Sequence, residues 1–459
     1  MTALATRSRD GRLVPHGGRP LDAVSLLTVW LALVFVIPAS QVVPQVGAAG
    51  RPGVLFGFGL LAVWLASRFV PDAVIPDRQP MRWFLAVYAI VFAVAYALGI
   101  ERGLDPSEAT SIDRALIVHT SLIAGALIAL DGIPSRKRFD DLMLRLIGFT
   151  AFSAFVGFLQ FFWRWDITPW LTLPGINLNG QPPITTIDER NGFNRVAGTA
   201  GHAIEFGSVM AIVLPIALHY LLHDEPGPRR RRLALATALI ALGVPFSISR
   251  TSTIAVVIVA VGLAVNWGHR MVVRSAVVGV GSLVALRAAV PSLLGSIKSL
   301  FTNLQDDLSF QARASDYPIV FRFLRERPFF GRGPGTFGPP DYLLLDNEIL
   351  STAVNTGLVG LAAFLALYVV SILMFRRVAW TAATDETRHL AMSMAVSTLV
   401  AGVVLYFADM LFFAIYSSVA FLLFGLAGAL FRLRHERSEF DVKPRWYLRD
   451  RMRVDRGGR

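Results

Sequence analysis

Seven arginines fall in the segments that separate long apolar runs: Arg195, Arg250, Arg313, Arg322, Arg325, Arg327 and Arg332. A guanidinium is a planar, permanently charged fork that binds phosphate oxygens in pairs, so such a gathering at a membrane surface suits a lipid-linked diphosphate. Groups able to move a proton lie in the same segments. Glu205 follows His202 by one helical turn in TAGHAIEFGSVM, and Asp346 precedes Asn347 in LLLDNEILSTAVNTGLVG. A carboxylate or imidazole in these places can orient and deprotonate a hydroxyl. Each residue also has an architectural reading. Arg250 can bound a tight hairpin and snorkel, and Arg313 can anchor an interfacial helix. Glu205 can belong to a buried pair that stabilises a helix end, and Asp346 can cap a helix. Asp409, in YFADMLFF, is expected at a tight turn.

The elements that must position these groups are membrane helices. Hydrophobic residues make up 54% of the 459 and charged ones 17%, with a mean hydropathy of +0.55. Apolar runs recur near 22–38, 53–70, 82–100, 115–131, 142–163, 203–222, 233–248, 251–268, 272–293, 349–375, 389–409 and 410–431. Most are long enough to span a bilayer as helix, giving an all-α polytopic membrane protein of about twelve crossings. The expected layout is a cytoplasmic N-terminus over 1–21, a transmembrane domain over 22–431 and a basic cytoplasmic tail over 432–459. The polar, basic start and the lack of a small-residue cleavage site argue against a removable signal peptide.

Charge sets the orientation. The net charge of +12 is concentrated in alternate connecting segments, such as RRRR at 229–232 and HRMVVR at 269–274. That is the positive-inside pattern, so the basic excess orients the chain in a bacterial inner membrane rather than recruiting nucleic acid. It also resolves the run 233–268, interrupted by FSISRTST at 246–253. One helix of that length would measure about 52 Å against a hydrocarbon core of about 30 Å. Two crossings joined by a turn at SISRT fit better, with Arg250 at the outer face.

Two connections are long, and the parity of the crossings puts both outside: 164–202 and 294–348. Within the second, ARASDYPIVFRFLRER has apolar residues at helical spacing and reads as an amphipathic surface helix, followed by the irregular PFFGRGPGTFGPP. The glycines of GRGPGTFG follow no predicted strand, which excludes a dinucleotide-binding reading. There are no cysteines, so disulfides, thiolate ligands and cysteine nucleophiles are excluded. No HExxH motif or paired acidic metal motif appears. His119, His219 and His223 read as scattered interfacial residues, so no metal or cofactor is expected.

NRVAGTAGHAIEFG, SISRTSTIA, ARASDYPIVFRFLRERPFFGRGPGTF and DNEILSTAVNTGLVGL, in that order, resemble the O-antigen ligase and O-antigen polymerase superfamily of membrane glycosyltransferases. The motifs span roughly 150–375, and a largest outer loop between the ninth and tenth crossings agrees. The resemblance implies a GT-C-type fold without metal, in which arginines serve where other transferases use a cation. It implies glycan transfer from an undecaprenyl-diphosphate-linked oligosaccharide to an acceptor glycan. Arg313 takes the position of the family's essential loop arginine, Arg250 that of the Ser-Arg-Thr turn, and Arg195 a further basic position. Asn347 and Arg322 are expected in support. Where ligases place His-Asn before the tenth crossing, this chain has Asp346-Asn347. That departure leaves Asp346, Glu205 or His202 as the base and favours a polymerase, or a relative acting on another surface polysaccharide. The partners expected are the lipid-linked donor, the acceptor, the bilayer and envelope polysaccharide assembly proteins. A transporter or flippase of lipid-linked glycans is the alternative function.

Overall fold

The computed structural model describes residues 6–7, 13–14, 22–43, 45–69, 79–173, 176–178, 187–190, 193–291, 293–302, 308–339 and 341–440. Each of the twelve apolar stretches carries a helix. In the first half these are α1 (Ala23–Phe35), α2 (Pro52–Ser67), α3 (Pro80–Glu101), α4 (Pro106–Gly132), α5 (Arg136–Trp163) and α6 (Ala203–His223). Then come α7 (Pro228–Phe246), α8 (Arg250–Ala264) and α9 (His269–Ala289), and, in the long connection, α10 (Leu293–Thr302) and α11 (Leu308–Glu326). The chain continues through α12 (Glu348–Thr381), α13 (Asp385–Val404) and α14 (Ala414–Leu433).

Among the described residues, eight of these helices are long and apolar enough to cross a membrane: α3, α4, α5, α6, α9, α12, α13 and α14. They make this an integral membrane protein. The expectation of about twelve crossings is met by helices but not in full by spans. α1, α2 and α8 are apolar but shorter, and α7 opens on four arginines. The helices begin where the chain supplies caps. Asp22 accepts from Ser25 N at 2.9 Å, Asp105 and Glu108 form a capping box, and α2, α3, α4 and α7 open on proline.

α14 is buried along nearly its whole length and packs on α4, α12, α3 and α6, whereas α9 lies at the periphery with only Leu286 buried. Among the described residues, strand is confined to short two-stranded ribbons, such as Gln41–Val42 with Asn177–Leu178 and Ile187–Arg190 with Phe193–Val196. Among the described residues, the connections 36–43, 45–51, 102–105, 164–173, 193–202, 247–249, 327–339, 341–347 and 405–413 lie at one end of the bundle. At the other end the basic residues cluster in the adjoining helix turns, as in the four arginines that open α7 and Arg270 and Arg274 of α9.

One expected crossing, 349–375, is not a continuous helix. α12 breaks at Gly357, whose φ of 72° and ψ of −176° suit glycine alone. A Cβ there would lie 2.2 Å from the backbone of Phe329. The irregular segment after α11 docks into this break. Leu358 N and Val359 N donate to the carbonyls of Pro328 (2.8 Å) and Phe329 (3.1 Å), and Arg332 N and Gly333 N donate to those of Val354 (3.0 Å) and Asn355 (2.9 Å). The interrupted ladder is thus satisfied by protein, as an apolar surrounding requires.

Candidate functional site

The motif before α6 is fixed on α5 from below. Gln160 accepts from Gly198 N (2.8 Å) and donates to Gly198 O (3.1 Å), while Thr199 donates to Ser153 Oγ at 2.9 Å. This presents Arg195 to the turn between α7 and α8, where its Nε donates to the Ser247 carbonyl at 3.2 Å and its side chain is buried. The turn bends at Ile248, a non-glycine residue with φ of 43°, and Ser249 caps α8 so that Arg250 is its first residue. The expected hairpin turn is therefore present, with Arg195 and the Arg250 segment side by side. Close approach to α6 is possible because Gly207 has no side chain: a Cβ there would lie 2.4 Å from Ser247 Oγ and 2.2 Å from Ser252 Oγ.

The acidic groups collect on a different turn, 405–416. Glu205 is fully buried and accepts three backbone N–H groups, from Ile415 (2.6 Å), Tyr416 (3.2 Å) and Gly201 (2.8 Å). It therefore ties the start of α14 to the start of α6, and helix N-termini favour such an anion. His202 caps α6, its Nδ1 accepting from Ile204 N at 3.1 Å, and its ring stacks on Phe413 at 5.8 Å. An Nδ1 that accepts leaves the proton of a neutral ring on Nε2. Arg51 reaches the same turn, donating to Phe412 O and Ala39 O, both at 3.2 Å. It lines a small, largely apolar cleft between α1, α2, α4 and α14.

At the far end of that turn sits a carboxyl pair that the motifs did not single out. Glu348 is buried, accepting from Thr352 Oγ1 (2.7 Å) and Leu411 N (2.8 Å), and it shares a hydrogen bond with Asp409. Asp409 is held above the usual carboxylate range, chiefly by burial and further by the charge of Asp346; the Glu348 hydrogen bond works against this. The signal available in sequence was DNE at 346–348, three polar residues heading an apolar run, together with an acid inside YFADM. Asp346 is exposed, and the helix cap is Asn347, whose Oδ1 accepts from Ile349 N (2.9 Å) and Leu350 N (3.2 Å). The capping reading of Asp346 is therefore corrected: its neighbour does that work.

α6 separates the two turns. Residues two apart on a helix point to nearly opposite sides, and Glu205 faces α14 while Gly207 faces the arginine-bearing turn. The structure brings together Glu205, His202, Asn347 and Asp346 around 405–416, and Arg195 with Arg250 around 247–250. Arg322 is exposed on α11, over the Phe323 ring at 5.1 Å. Arg313 lies on α11, but its side chain falls outside the described residues. Arg332 is committed elsewhere. It pairs with Glu108 at 3.3 Å, donates to Tyr342 at 2.6 Å and lies over the Phe323 ring.

Residues 235–365 match the family model described as O-antigen ligase. The match covers the arginine turn, α11 and the broken start of α12, and over that part of the chain it supports a likeness to the O-antigen ligase/polymerase superfamily. Among curated proteins, none matches the chain. A role of ligase or polymerase type in polysaccharide assembly follows at that level.

Proposed function

We propose that the protein transfers a glycan from an undecaprenyl-diphosphate-linked donor to a sugar hydroxyl at the outer face of the inner membrane, as a polymerase or ligase of surface polysaccharide. The observation that carries this reading is the family match over 235–365, because it falls on the elements that bear Arg250, Arg313 and Asp346. With the basic ends of α7 and α9 inside, the loop-rich end faces outward and both termini are cytoplasmic.

In the reaction the acceptor oxygen attacks the anomeric carbon as the bond from that carbon to the diphosphate oxygen breaks. The electron pair leaves with the diphosphate, and the acceptor's proton passes to a carboxylate. Arg250 and Arg313, with Arg195 and Arg322 in support, hold the departing diphosphate, a role in which fixed guanidiniums need no reorganisation as charge develops. Asp346 is the base that fits best, being exposed and close enough to the buried Glu348–Asp409 pair for its charge to act on Asp409. Glu205 already accepts three amides, and His202 carries its proton on Nε2, so both act as positioning residues for the 405–416 turn.

The test is transfer by purified protein in detergent from a synthetic lipid-diphosphate oligosaccharide, with product length read on gels. Arg250→Lys keeps the charge and loses the fork, so the rate should fall about 10²–10³-fold. Full transfer by that variant would reject the clamp. In a deletion strain, accumulation of single repeat units marks a polymerase and accumulation of long lipid-linked chains a ligase.

A further inference from the structure

At the opposite end of the bundle the structure overturns the reading of the histidines as scattered. His219 and His223 stand one turn apart on α6, and His389 on α13 meets them, with ligand-capable atoms of all three within 4.8 Å of one another. His219 is fully buried and the other two are half-buried. The ring nitrogens are already oriented. His219 Nε2 faces Glu386 Oε1 at 3.1 Å, which directs its Nδ1 towards His389 Nδ1 at 2.9 Å. His223 Nδ1 meets the His219 carbonyl at 3.0 Å, so it is the donor and Nε2 keeps its lone pair. A carboxylate behind one imidazole and a backbone carbonyl behind another are the supports that metal-binding histidines use to fix their tautomers.

We propose that His219, His223 and His389 form a site for a divalent transition ion, zinc above all, that staples α6 to α13 about 21 Å along α6 from Glu205. Three imidazoles leave one position of a tetrahedral ion for water. The surrounding charge admits a cation, since Asp140 and Glu386 outnumber the Arg136 guanidinium that bonds both of them (3.0 and 2.7 Å). One group competes. Trp267 Nε1 donates to His389 Nε2 at 2.7 Å, which places the His389 proton on Nδ1, between the two rings. For the ion to enter, that proton moves to Nε2 and the indole turns away. Trp267 is therefore a built-in reporter of loading.

The experiment uses full-length protein purified without a histidine tag, stripped with chelator and equilibrated with zinc chloride. The expected result is one zinc per chain retained through gel filtration, and a change in tryptophan fluorescence on loading that Trp267→Phe abolishes. Removing the competing donor, Trp267→Phe should hold zinc at least as tightly as the parent. His223→Gln and His389→Gln should each weaken zinc binding at least tenfold while eluting at the parent position. Zinc retained equally by both histidine variants would locate it at other histidines and overturn the proposal. So would a fluorescence signal unaffected by loading, a readout that stands even where a histidine variant fails to fold.

Discussion

Two sets of buried carboxylates, at opposite ends of the bundle, are satisfied in different ways. At the basic end, Asp140 and Glu386 are neutralised by a buried side chain, Arg136, with Tyr220 adding a hydrogen bond to Asp140 at 2.7 Å. At the loop-rich end, Glu205 and Glu348 accept backbone N–H groups at turns and helix starts. The first arrangement locks helices together by closing charges on one another. The second anchors Glu205 and Glu348 with backbone amides, Arg51 adding its charge near Glu205, while a third buried acid of that end, Glu108, pairs with Arg102 and Arg332.

That contrast can be broken at either end. The largest effect is expected on chemistry: Asp346→Asn should lower transfer about 10²–10⁴-fold, since it removes the proposed base. Unchanged turnover in the reconstituted assay would mean the base lies elsewhere on the 405–416 turn. At the basic end, Arg136→Ala should destabilise by about 3–5 kcal/mol, because Arg136 is 1% exposed and its loss strands two buried acids. Thermal unfolding in detergent measures this, and a loss below that of Glu205→Gln would erase the distinction between the ends.

Glu205→Gln keeps one acceptor oxygen in place of two and should cost about 1–3 kcal/mol in the same measurement. A pH series sharpens the loop-rich side. Asp409 has a folded-state pKa raised by burial and by Asp346, so protonation favours the folded state. Its stabilising contribution is complete below the unfolded carboxylate value and is lost as pH rises through the folded one. Relative to Asp409→Asn, the parent should therefore lose stability as pH climbs above the unfolded carboxylate value of about 4. A flat difference would show Asp409 ionised throughout. The smallest effect is expected at the exposed Arg388–Asp385 pair, which stands 3.2 Å apart with side chains 57% and 60% exposed. There Arg388→Ala should cost at most a few tenths of a kcal/mol after solvent screening.

Much of this molecule is readable along the chain. Apolar runs marked where the helices fall, eight of them, among the described residues, long and apolar enough to cross a membrane, because transfer into lipid is a property of short windows. SISRTST already implied a hairpin with an arginine at its exit, and the amphipathic pattern of ARASDYPIVFRFLRER already implied α11. Other features depend on how helices are rotated about their axes, which hydropathy does not specify. The break at Gly357 exists because the segment after α11 supplies replacement hydrogen-bond partners. Glu205 became an anchor for α14 only when a helix starting 209 residues later arrived at its carboxylate. His389 joined His219 across 170 residues. Local sequence determined which pieces enter the membrane and which charges wait at its edges; tertiary packing decided which of those charges meet, because each meeting is set by the phase and depth of two distant helices together.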